Sequence, residues 1–452
     1  MKEKGAKDSG RCFLRLNNDM DAISKIHEFE KFGSILGLER MTSLMHELGD
    51  PQDELKCIHV AGTNGKGSVC KYIYEILEAQ GYRTGLYTSP FLEVFNERIE
   101  LDHSFISDED LQVYTDRVLE KVKVLTDRGE DSPTEFEVIT AVAFLYFKEK
   151  NADYVVLEVG LGGIGDSTNV IHEPLASVIT SISFDHTDRL GNTLKEIAGN
   201  KAGIIKDGCP AVTSAKAEDA LEVFRKKASE CNAELYETAE ITPEIVSESL
   251  SGTVFDVTLG ARYYGLKISM LGEHQIENAV CALKTIEVLQ DEREIEIGID
   301  AIYEGLFRAK QIGRFEVMKE EPLIIIDGAH NPDGIAQAAE SIKRCLGGGK
   351  LAMLIGVMAD KDYALYPEML GQYIDRVFTV KPDNPRALDS EKLAEVFANR
   401  GIPAKAFPDL AEGVKSAYEY AAAKKLPLLA LGSLYMYKEF SESLDNIKKG
   451  RH

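Results

Sequence analysis

The stretch HVAGTNGKGSV, residues 59–69, places one lysine among glycines and short polar side chains. It follows a short apolar run and precedes a helical pattern, the context in which a glycine-rich turn binds phosphate. Glycines let the backbone approach a ligand, the helix start offers free N–H groups, and Lys66 adds a positive charge. Ser68 could supply a hydroxyl for Mg²⁺. A glycine separates lysine from serine, unlike G-x-x-x-x-G-K-[ST], so these residues alone leave a simple strand-to-helix turn as the alternative.

Acidic, hydroxyl and imidazole side chains follow several other apolar runs. The carboxyl ends of parallel strands meet at one edge of a sheet, where α/β proteins bind ligands. Glu158, at the end of YVVLE, has the position of the carboxylate that coordinates magnesium in phosphate-loop proteins. Each such residue alone is as often an ordinary polar residue, but their shared position predicts a nucleotide and metal site. The set is Ser89, Glu158, Asp185, His186, Asp327 and His330.

Short apolar runs alternate with longer amphipathic ones in the N-terminal two thirds of the chain. This alternation predicts βαβ units and a mainly parallel sheet with helices on both faces. Strands are expected within 56–62, 82–89, 154–160 and 177–183, and helices within 68–80, 136–150, 217–231 and 274–290. In residues 24–49 the apolar residues recur at helical spacing up to Gly49. In residues 253–271 apolar and polar residues alternate as in a β-hairpin.

A second βα series begins after about residue 309, with PLIIIDG, a helix over 332–345, and further apolar runs near 351–357, 375–382 and 426–432. We therefore predict an α/β protein of two domains. Residues 1–308 would form a parallel-sheet domain that contains the phosphate loop, with residues 1–20 as a flexible tail. Residues 309–452 would form a smaller, Rossmann-like α/β domain.

The 452-residue chain has 75 acidic and 52 basic residues, a net charge of −23. Such an acidic surface repels phosphate backbones and anionic lipids, so we expect small-molecule substrates and neither nucleic acid nor membranes as partners. The seven cysteines form no CxxC pair, which is typical of reduced thiols in the cytoplasm. The sequence has no apolar run of signal-peptide or membrane-span length. We expect a monomeric cytoplasmic protein.

Several segments, in order along residues ~30–440, resemble the folylpolyglutamate synthase/dihydrofolate synthase family of the Mur ligase superfamily. They are HVAGTNGKGSV, TSPFLEVFNERI, LEVGLGG with DSTNV, FDHTDRLGNTLKEIAGNKAGIIK, GEHQIENA, GRFE, DGAHNP, MADKD and GSLYMYKE. The resemblance implies an ATP-dependent ligase that adds L-glutamate to folates, with addition to 7,8-dihydropteroate left open. It also implies that ATP first phosphorylates the acceptor carboxylate and that the glutamate amine then displaces phosphate. Phosphorylation supplies the leaving group that a carboxylate lacks.

The resemblance also implies roles for individual residues. Mg²⁺ would be bound by Ser89, Glu158, His186 and Lys201, with Lys201 carried as a carbamate, and Lys66, His186 and Lys201 would act in catalysis. The ATP site would comprise Asn64, Gly65, Lys66, Gly67, Ser68, Asn278, Arg314, Asp327 and His330, in a cleft between the two domains. The acceptor would contact Thr134, Glu135, Phe136, Glu137, Gly165, Asp166 and Ser167.

This chain departs from the family pattern at three positions. Ile164 stands where the family usually has arginine, Phe91 where it has histidine, and Asn200 where it has glutamate. Isoleucine cannot pair with a carboxylate or phosphate as arginine does. The resemblance is therefore a better guide to the ATP chemistry than to the identity of the acceptor. Two alternatives therefore stay open: a sibling ligase with another acceptor or amino acid, and a nucleotide-dependent binding protein without ligase activity.

Overall fold

The computed structural model describes residues 20–33 and 35–449, so the predicted tail at 1–20 lies almost entirely outside the described residues. The N-terminal region, residues 20–308, contains an eight-stranded sheet. Its strands are β1 Cys57–Ala61, β2 Thr84–Tyr87, β3 Ile99–Leu101, β4 Ser104–Phe105, β5 Tyr154–Glu158, β6 Ala176–Ile179, β7 Ala211–Thr213 and β8 Leu235–Glu237. Their order across the sheet is β4-β3-β2-β5-β1-β6-β7-β8. Strands β2, β5, β1, β6, β7 and β8 are parallel, and β3 and β4 extend one edge in antiparallel pairing.

Helices cover both faces of this sheet, as the alternating pattern predicts. The helices of this region are α1 Ala22–His27, α2 Glu39–Glu47, α3 Lys66–Gln80, α4 Asp108–Asp127, α5 Glu135–Glu149, α6 Thr187–Leu190, α7 Leu194–Lys201, α8 Glu218–Glu230, α9 Glu273–Arg293 and α10 Ile299–Arg308. Successive residues of a strand point to opposite faces. Ile58 and Val60 therefore pack with α3, α9 and α10, whereas Cys57 packs with α1, α2, α4 and α5.

The helical spacing over residues 24–49 does not form one helix. This part of the chain forms two helices, α1 and α2, because the segment between them contains Gly33 at φ +67° and Gly37 at φ +140°. These left-handed conformations interrupt a right-handed helix and are easily adopted only by glycine.

A small antiparallel sheet of three strands packs against the face formed by α3, α9 and α10. Its strands are β9 Glu244–Ser249, β10 Gly252–Thr258 and β11 Arg262–Ile268. The predicted hairpin is confirmed as β10 and β11, to which β9 adds a third strand. Gly305 lets α10 approach α3 closely, because a Cβ there would lie 2.4 Å from the Cα of Ile76.

The C-terminal region, residues 309–449, contains a six-stranded sheet and five α-helices. The strands are β12 Glu316–Glu320, β13 Leu323–Asp327, β14 Leu351–Ile355, β15 Ile374–Val380, β16 Ala404–Phe407 and β17 Leu428–Leu431; the helices are α11 Pro332–Cys345, α12 Tyr366–Leu370, α13 Ser390–Ala398, α14 Leu410–Lys424 and α15 Tyr437–Lys449. The sheet order is β12-β13-β17-β14-β15-β16. All strands except β12 are parallel, and helices cover both faces. The expected α/β class is confirmed.

The domain boundary near residue 309 stays a prediction, although α10 ends at Arg308 and β12 begins at Glu316. Among the described residues, none of the helices combines the length and apolar character that crossing a bilayer requires.

Candidate active site

The phosphate loop connects β1 to α3 and packs tightly against its neighbours. Gly62 has φ +150°, and a Cβ there would lie 1.7 Å from Thr180 Oγ1. Gly65 has φ +86°, and a Cβ there would lie 2.4 Å from Asn278 Oδ1 of α9. Both glycines are therefore required by conformation and by space. Helix α3 begins at Lys66, so its first N–H groups point into the loop.

Two lysines reach the carbonyl groups of this loop. Lys66 Nζ donates to Gly62 O at 3.3 Å and to Thr63 O at 3.4 Å, and Lys201 Nζ donates to Gly62 O at 2.7 Å. Lys201 is 4% exposed, and burial, followed by the charge of Lys66, lowers its pKa to about 7. A large fraction of Lys201 is therefore a neutral amine near neutral pH.

Three of the predicted metal ligands lie near this lysine pair. Glu158 Oε2 accepts a hydrogen bond from the backbone N of Ser89 at 3.1 Å. Burial raises the pKa of Glu158, although Lys66 opposes the shift. His186 has φ +49°, and its side chain is partly exposed. Partial burial lowers the pKa of the imidazole, although Asp185 opposes the shift, and a lower pKa favours the neutral form that binds metals. A buried carboxylate with one backbone partner, a hydroxyl and an imidazole fit a divalent cation, and the oxygen atoms fit Mg²⁺.

A cleft of about 520 Å³ opens between the two regions. The predicted site residues that line it are Asn64, Lys66, Ser89, Thr134, Glu135, Phe136, Glu158, Gly165, Asp166, Ser167, His186, Lys201, Arg314 and His330. A cavity of about 30 Å³ is lined by further predicted residues, Gly65, Ser68, Asn278 and Asp327, and it shares Asn64, Arg314 and His330 with the cleft. Gly67 and Glu137 line neither space.

Glu137 instead stabilises the start of α5. Its Oε2 accepts from Thr134 N at 2.6 Å, and Thr134 Oγ1 accepts from Glu137 N at 3.3 Å, which forms a capping box. Arg40 Nη2 lies 3.0 Å from Glu137 Oε1. The neighbouring Phe136 faces the cleft and packs on Gly160, where a Cβ would lie 2.5 Å from the ring.

Asp166 stabilises the loop that follows β5. Its carboxylate accepts from Leu161 N at 2.7 Å, from Thr168 N at 3.0 Å and from Thr168 Oγ1 at 2.5 Å. Burial raises the pKa of Asp166, whereas these donors lower it. With its oxygen atoms already bonded, this side chain shapes the edge of the cleft.

On the side of the C-terminal region, Asp327 ends β13 and accepts from Ala329 N at 2.9 Å. Burial raises the pKa of Asp327 to about 6, while Arg314 opposes the shift. His330 Nδ1 donates to Gly328 O at 2.8 Å, which fixes the ring. The carboxylate, guanidinium and imidazole converge on the small cavity beside the phosphate loop.

The sequence reasoning missed four residues at the site. Arg98, Lys361 and Arg386 add positive charge to the lining of the cleft, and Asn331 contacts the phosphate loop through Asn64. Lys361 and Asn331 lie within the segments MADKD and DGAHNP, where their polar character was the available signal. Arg98 lies within the segment TSPFLEVFNERI, whereas Arg386 has no sequence pattern that distinguishes it from surface arginines.

The three departures from the family pattern are chain neighbours of Pro90, Gly165 and Lys201, which line the cleft. Ile164 is 58% exposed, and its backbone N donates to Asn200 O at 2.9 Å, so two of the three positions are neighbours. Phe91 packs against Phe95 with ring centres 5.5 Å apart, and the Arg98 guanidinium lies 5.2 Å from the centre of the Phe91 ring.

Comparison with known families agrees with this geometry. Residues 60–286 match the Mur ligase middle domain, and residues 313–434 match the Mur ligase glutamate ligase domain. The chain belongs to the Mur ligase family. Within it, this ligase is 37% identical to the dihydrofolate synthase/folylpolyglutamate synthase of Bacillus subtilis, over 94% of this chain and 98% of the relative. It is 34% identical to the folylpolyglutamate synthase of Lacticaseibacillus casei, over 94% of this chain and 99% of that relative.

Solved structures show the same relationship. Folylpolyglutamate synthase from Thermotoga maritima is 35% identical, with a TM-score of 0.83 over 94% of this ligase and 97% of that chain. The protein in a complex of FPGS with AMPPCP and folate is 34% identical in sequence to this ligase, with a TM-score of 0.81 over 94% of this ligase and 98% of that chain. The resemblance found in the sequence, to the folylpolyglutamate synthase/dihydrofolate synthase family, is confirmed.

Proposed function

We propose that this ligase uses ATP to add L-glutamate to a reduced folate. The observation that carries the proposal is the cleft in which Lys66 and Glu158 face Arg314 and His330 across the two regions. A phosphate loop, a buried acid and cations on the opposite wall suit a triphosphate whose terminal phosphoryl group is transferred within the cleft.

In the proposed reaction, a carboxylate oxygen of the folate attacks the γ-phosphorus of ATP. The bond from that phosphorus to the β,γ-bridging oxygen breaks, and ADP leaves with the electron pair. The glutamate amine then attacks the acyl carbon, inorganic phosphate leaves with the electrons of the C–O bond, and the amine proton passes to phosphate or solvent. Lys66 would neutralise charge on the transferred group, and the closed cleft would exclude water from the acyl phosphate.

We propose that Ser89, Glu158 and His186 hold Mg²⁺, which supplies positive charge for the phosphate oxygens when bound. We further propose that Lys201 takes up CO₂ as a carbamate. A neutral amine attacks CO₂ and loses a proton, so a buried lysine with a pKa of about 7 is suited to the reaction. Intact-protein mass spectrometry under native conditions, with and without bicarbonate, tests the modification; an unmodified lysine with ATP and Mg²⁺ bound would contradict it.

The remaining residue roles are proposed as the sequence resemblance implied them. Asn64, Gly65, Ser68, Asn278 and Asp327 would contact ATP, and Thr134, Glu135, Phe136, Gly165 and Ser167 would contact the acceptor. Gly67 is proposed to contact ATP from the resemblance alone. For Glu137 and Asp166 we propose indirect roles, because their carboxylates bind the protein itself. We also propose a monomeric enzyme in the cytoplasm, and the free cysteines of the described residues support the cytoplasmic location.

Addition of glutamate to 7,8-dihydropteroate is a second candidate activity, because the Bacillus subtilis relative carries both synthase names. A sibling activity on a different carboxylate is a further candidate, since an exposed Ile164 lies beside the cleft where the family usually has arginine. An ADP-release assay with tetrahydrofolate and dihydropteroate side by side, against a panel of amino acids, separates these candidates. ADP release independent of every amino acid would contradict ligase activity.

A further inference from the structure

Asn331 joins the two regions through a single amide. It is 3% exposed and is the N-cap of α11, where its Oδ1 accepts from Gly334 N at 2.8 Å. Its Nδ2 donates in the other direction, to Asn64 Oδ1 at 3.2 Å and to Asp185 Oδ2 at 3.1 Å. One side chain therefore connects the first turn of α11 to the phosphate loop and to the segment after β6.

Asp185 collects further contacts from the C-terminal region. Its Oδ1 accepts from Lys361 Nζ at 2.9 Å, and its Oδ2 lies 3.6 Å from His330 Nε2. Its side chain is 11% exposed, and it precedes His186 in the chain. Hydrogen bonds between ionised and polar groups are strong and directional in such an environment. The contacts thus set where Lys361 and His330 stand relative to the phosphate loop.

We propose that Asn331 and Asp185 form a positioning pair that sets the alignment of the C-terminal region over the phosphate loop. The inference deepens the proposed function and rests on it. The pair acts through His330 and Lys361, which line the cleft together with Asp185. Misalignment of reactants by about 1 Å can reduce turnover by about 100-fold.

The residue types explain why asparagine is needed at position 331. Serine, aspartate and asparagine all cap helices well, because each offers an acceptor oxygen. Only asparagine among them also offers N–H groups to two acceptors on the opposite side. Replacement by aspartate therefore keeps the helix cap but removes the donor and places a second carboxylate against Asp185.

The test is a reciprocal exchange. Asn331→Asp should lower kcat by about 100-fold, with a smaller change in the KM for ATP and an almost unchanged melting temperature. Asp185→Asn should also lower kcat, because its single amide oxygen cannot accept from both Asn331 and Lys361. The double variant N331D/D185N exchanges donor and acceptor, so it should recover at least about tenfold of the kcat lost in N331D, as coupled neighbours do.

Two further variants serve as controls. Arg344→Gln breaks two other ion pairs between the regions, with Glu273 at 2.8 Å and with Glu248 at 3.1 Å, away from the cleft. It should keep the wild-type kcat. Should Asn331→Asp fail to fold, Asn331→Ser keeps a cap without the added charge and should show the same defect in kcat. Wild-type kcat in both Asn331 variants, or no recovery in the double variant, would overturn the inference, as would an equal loss in Arg344→Gln.

A geometric measurement separates this inference from the proposed function. Crystal structures should show the C-terminal region of N331D displaced by about 1 Å relative to the phosphate loop, and the double variant should return towards the wild-type placement. A wild-type enzyme without glutamate-dependent ADP release would remove the proposed function. Wild-type placement of the C-terminal region in N331D would then overturn the positioning pair on its own.

Discussion

Lys201 Nζ donates to the carbonyl oxygen of Gly62 at 2.7 Å, which places a buried amine directly beneath the phosphate loop. The charge of Lys66 lies close enough to oppose protonation of Lys201, and burial opposes it more strongly. The fold therefore supplies a lysine whose neutral form is common near pH 7. This relationship connects the phosphate site to the proposed carbamate.

The pKa of Lys201, about 7 against an ordinary value of 10.5, predicts a contribution to stability that depends on pH. Between these values the unfolded chain binds the proton and the folded chain does not, so this contribution grows as pH rises. One proton corresponds to about 1.4 kcal/mol per pH unit. Lys201→Met should remove this contribution to the increase of the unfolding free energy with pH. Urea unfolding of both proteins between pH 7 and 10 measures the increase. The same pH dependence in the variant and the wild type would refute the assigned pKa.

Lys66→Ala should lower kcat by at least about 100-fold, as loss of a preorganised charge at a transferring phosphate does. Its amine donates to the carbonyl groups of Gly62 and Thr63 at 3.3 and 3.4 Å, both long hydrogen bonds, so the melting temperature should change little. Lys71→Ala on the same helix is the matched control. Lys71 forms an ion pair with Glu100 at 2.9 Å, away from the loop, so its loss should leave kcat unchanged. Steady-state ADP release measures both, and full activity in Lys66→Ala would contradict the site.

Glu158→Gln should raise the Mg²⁺ concentration for half-maximal activity by at least about tenfold, because a neutral amide is a weaker ligand than a carboxylate. Ser89→Ala should have a smaller effect. It removes only the hydroxyl, while the hydrogen bond from Ser89 to Glu158 comes from the backbone and persists. Mg²⁺ titrations of activity compare the two variants, and an equal or reversed order of effects would argue against Glu158 as a ligand.

Asp327 should make ATP binding sensitive to acid. Burial raises its pKa to about 6, so the carboxylate becomes protonated as pH falls through 6. If the charged form accepts hydrogen bonds from the nucleotide, the KM for ATP should rise by several-fold between pH 7 and 5. Asp327→Asn should have a high KM at both pH values. A wild-type KM that does not change over this range would exclude Asp327 from nucleotide binding.

Much of this arrangement was predictable from short stretches of sequence. The phosphate loop is one such case, because Gly62, Gly65 and Lys66 act within a single turn and the spacing of residue types indicates the conformation. Helix α11 is another: its predicted bounds, 332–345, are those observed, since Asn331, Pro332 and the apolar spacing are all local signals. The division of residues 24–49 into α1 and α2 was missed, because helical spacing continued across glycines whose φ values the pattern does not reveal.

Side-chain partners were the least predictable feature. Glu137 was expected to contact the acceptor, yet its carboxylate binds Thr134 N and pairs with Arg40, 97 residues away. Asn331 was overlooked beside Asp327 and His330, although its amide bridges the phosphate loop and Asp185. A residue type indicates which bonds a side chain can form, but its partner depends on packing between distant segments.

The sequence by itself determined the family and the phosphate-loop motif, and it predicted the residues that would bind ATP and metal. These follow from residue types at short spacing and from the order of motifs along the chain. Only the tertiary structure decided that Lys201 is a buried amine under Gly62 and that Asn331 joins the two regions. Both depend on distance and burial, because electrostatic and hydrogen-bond energies are set by separation in space rather than along the chain.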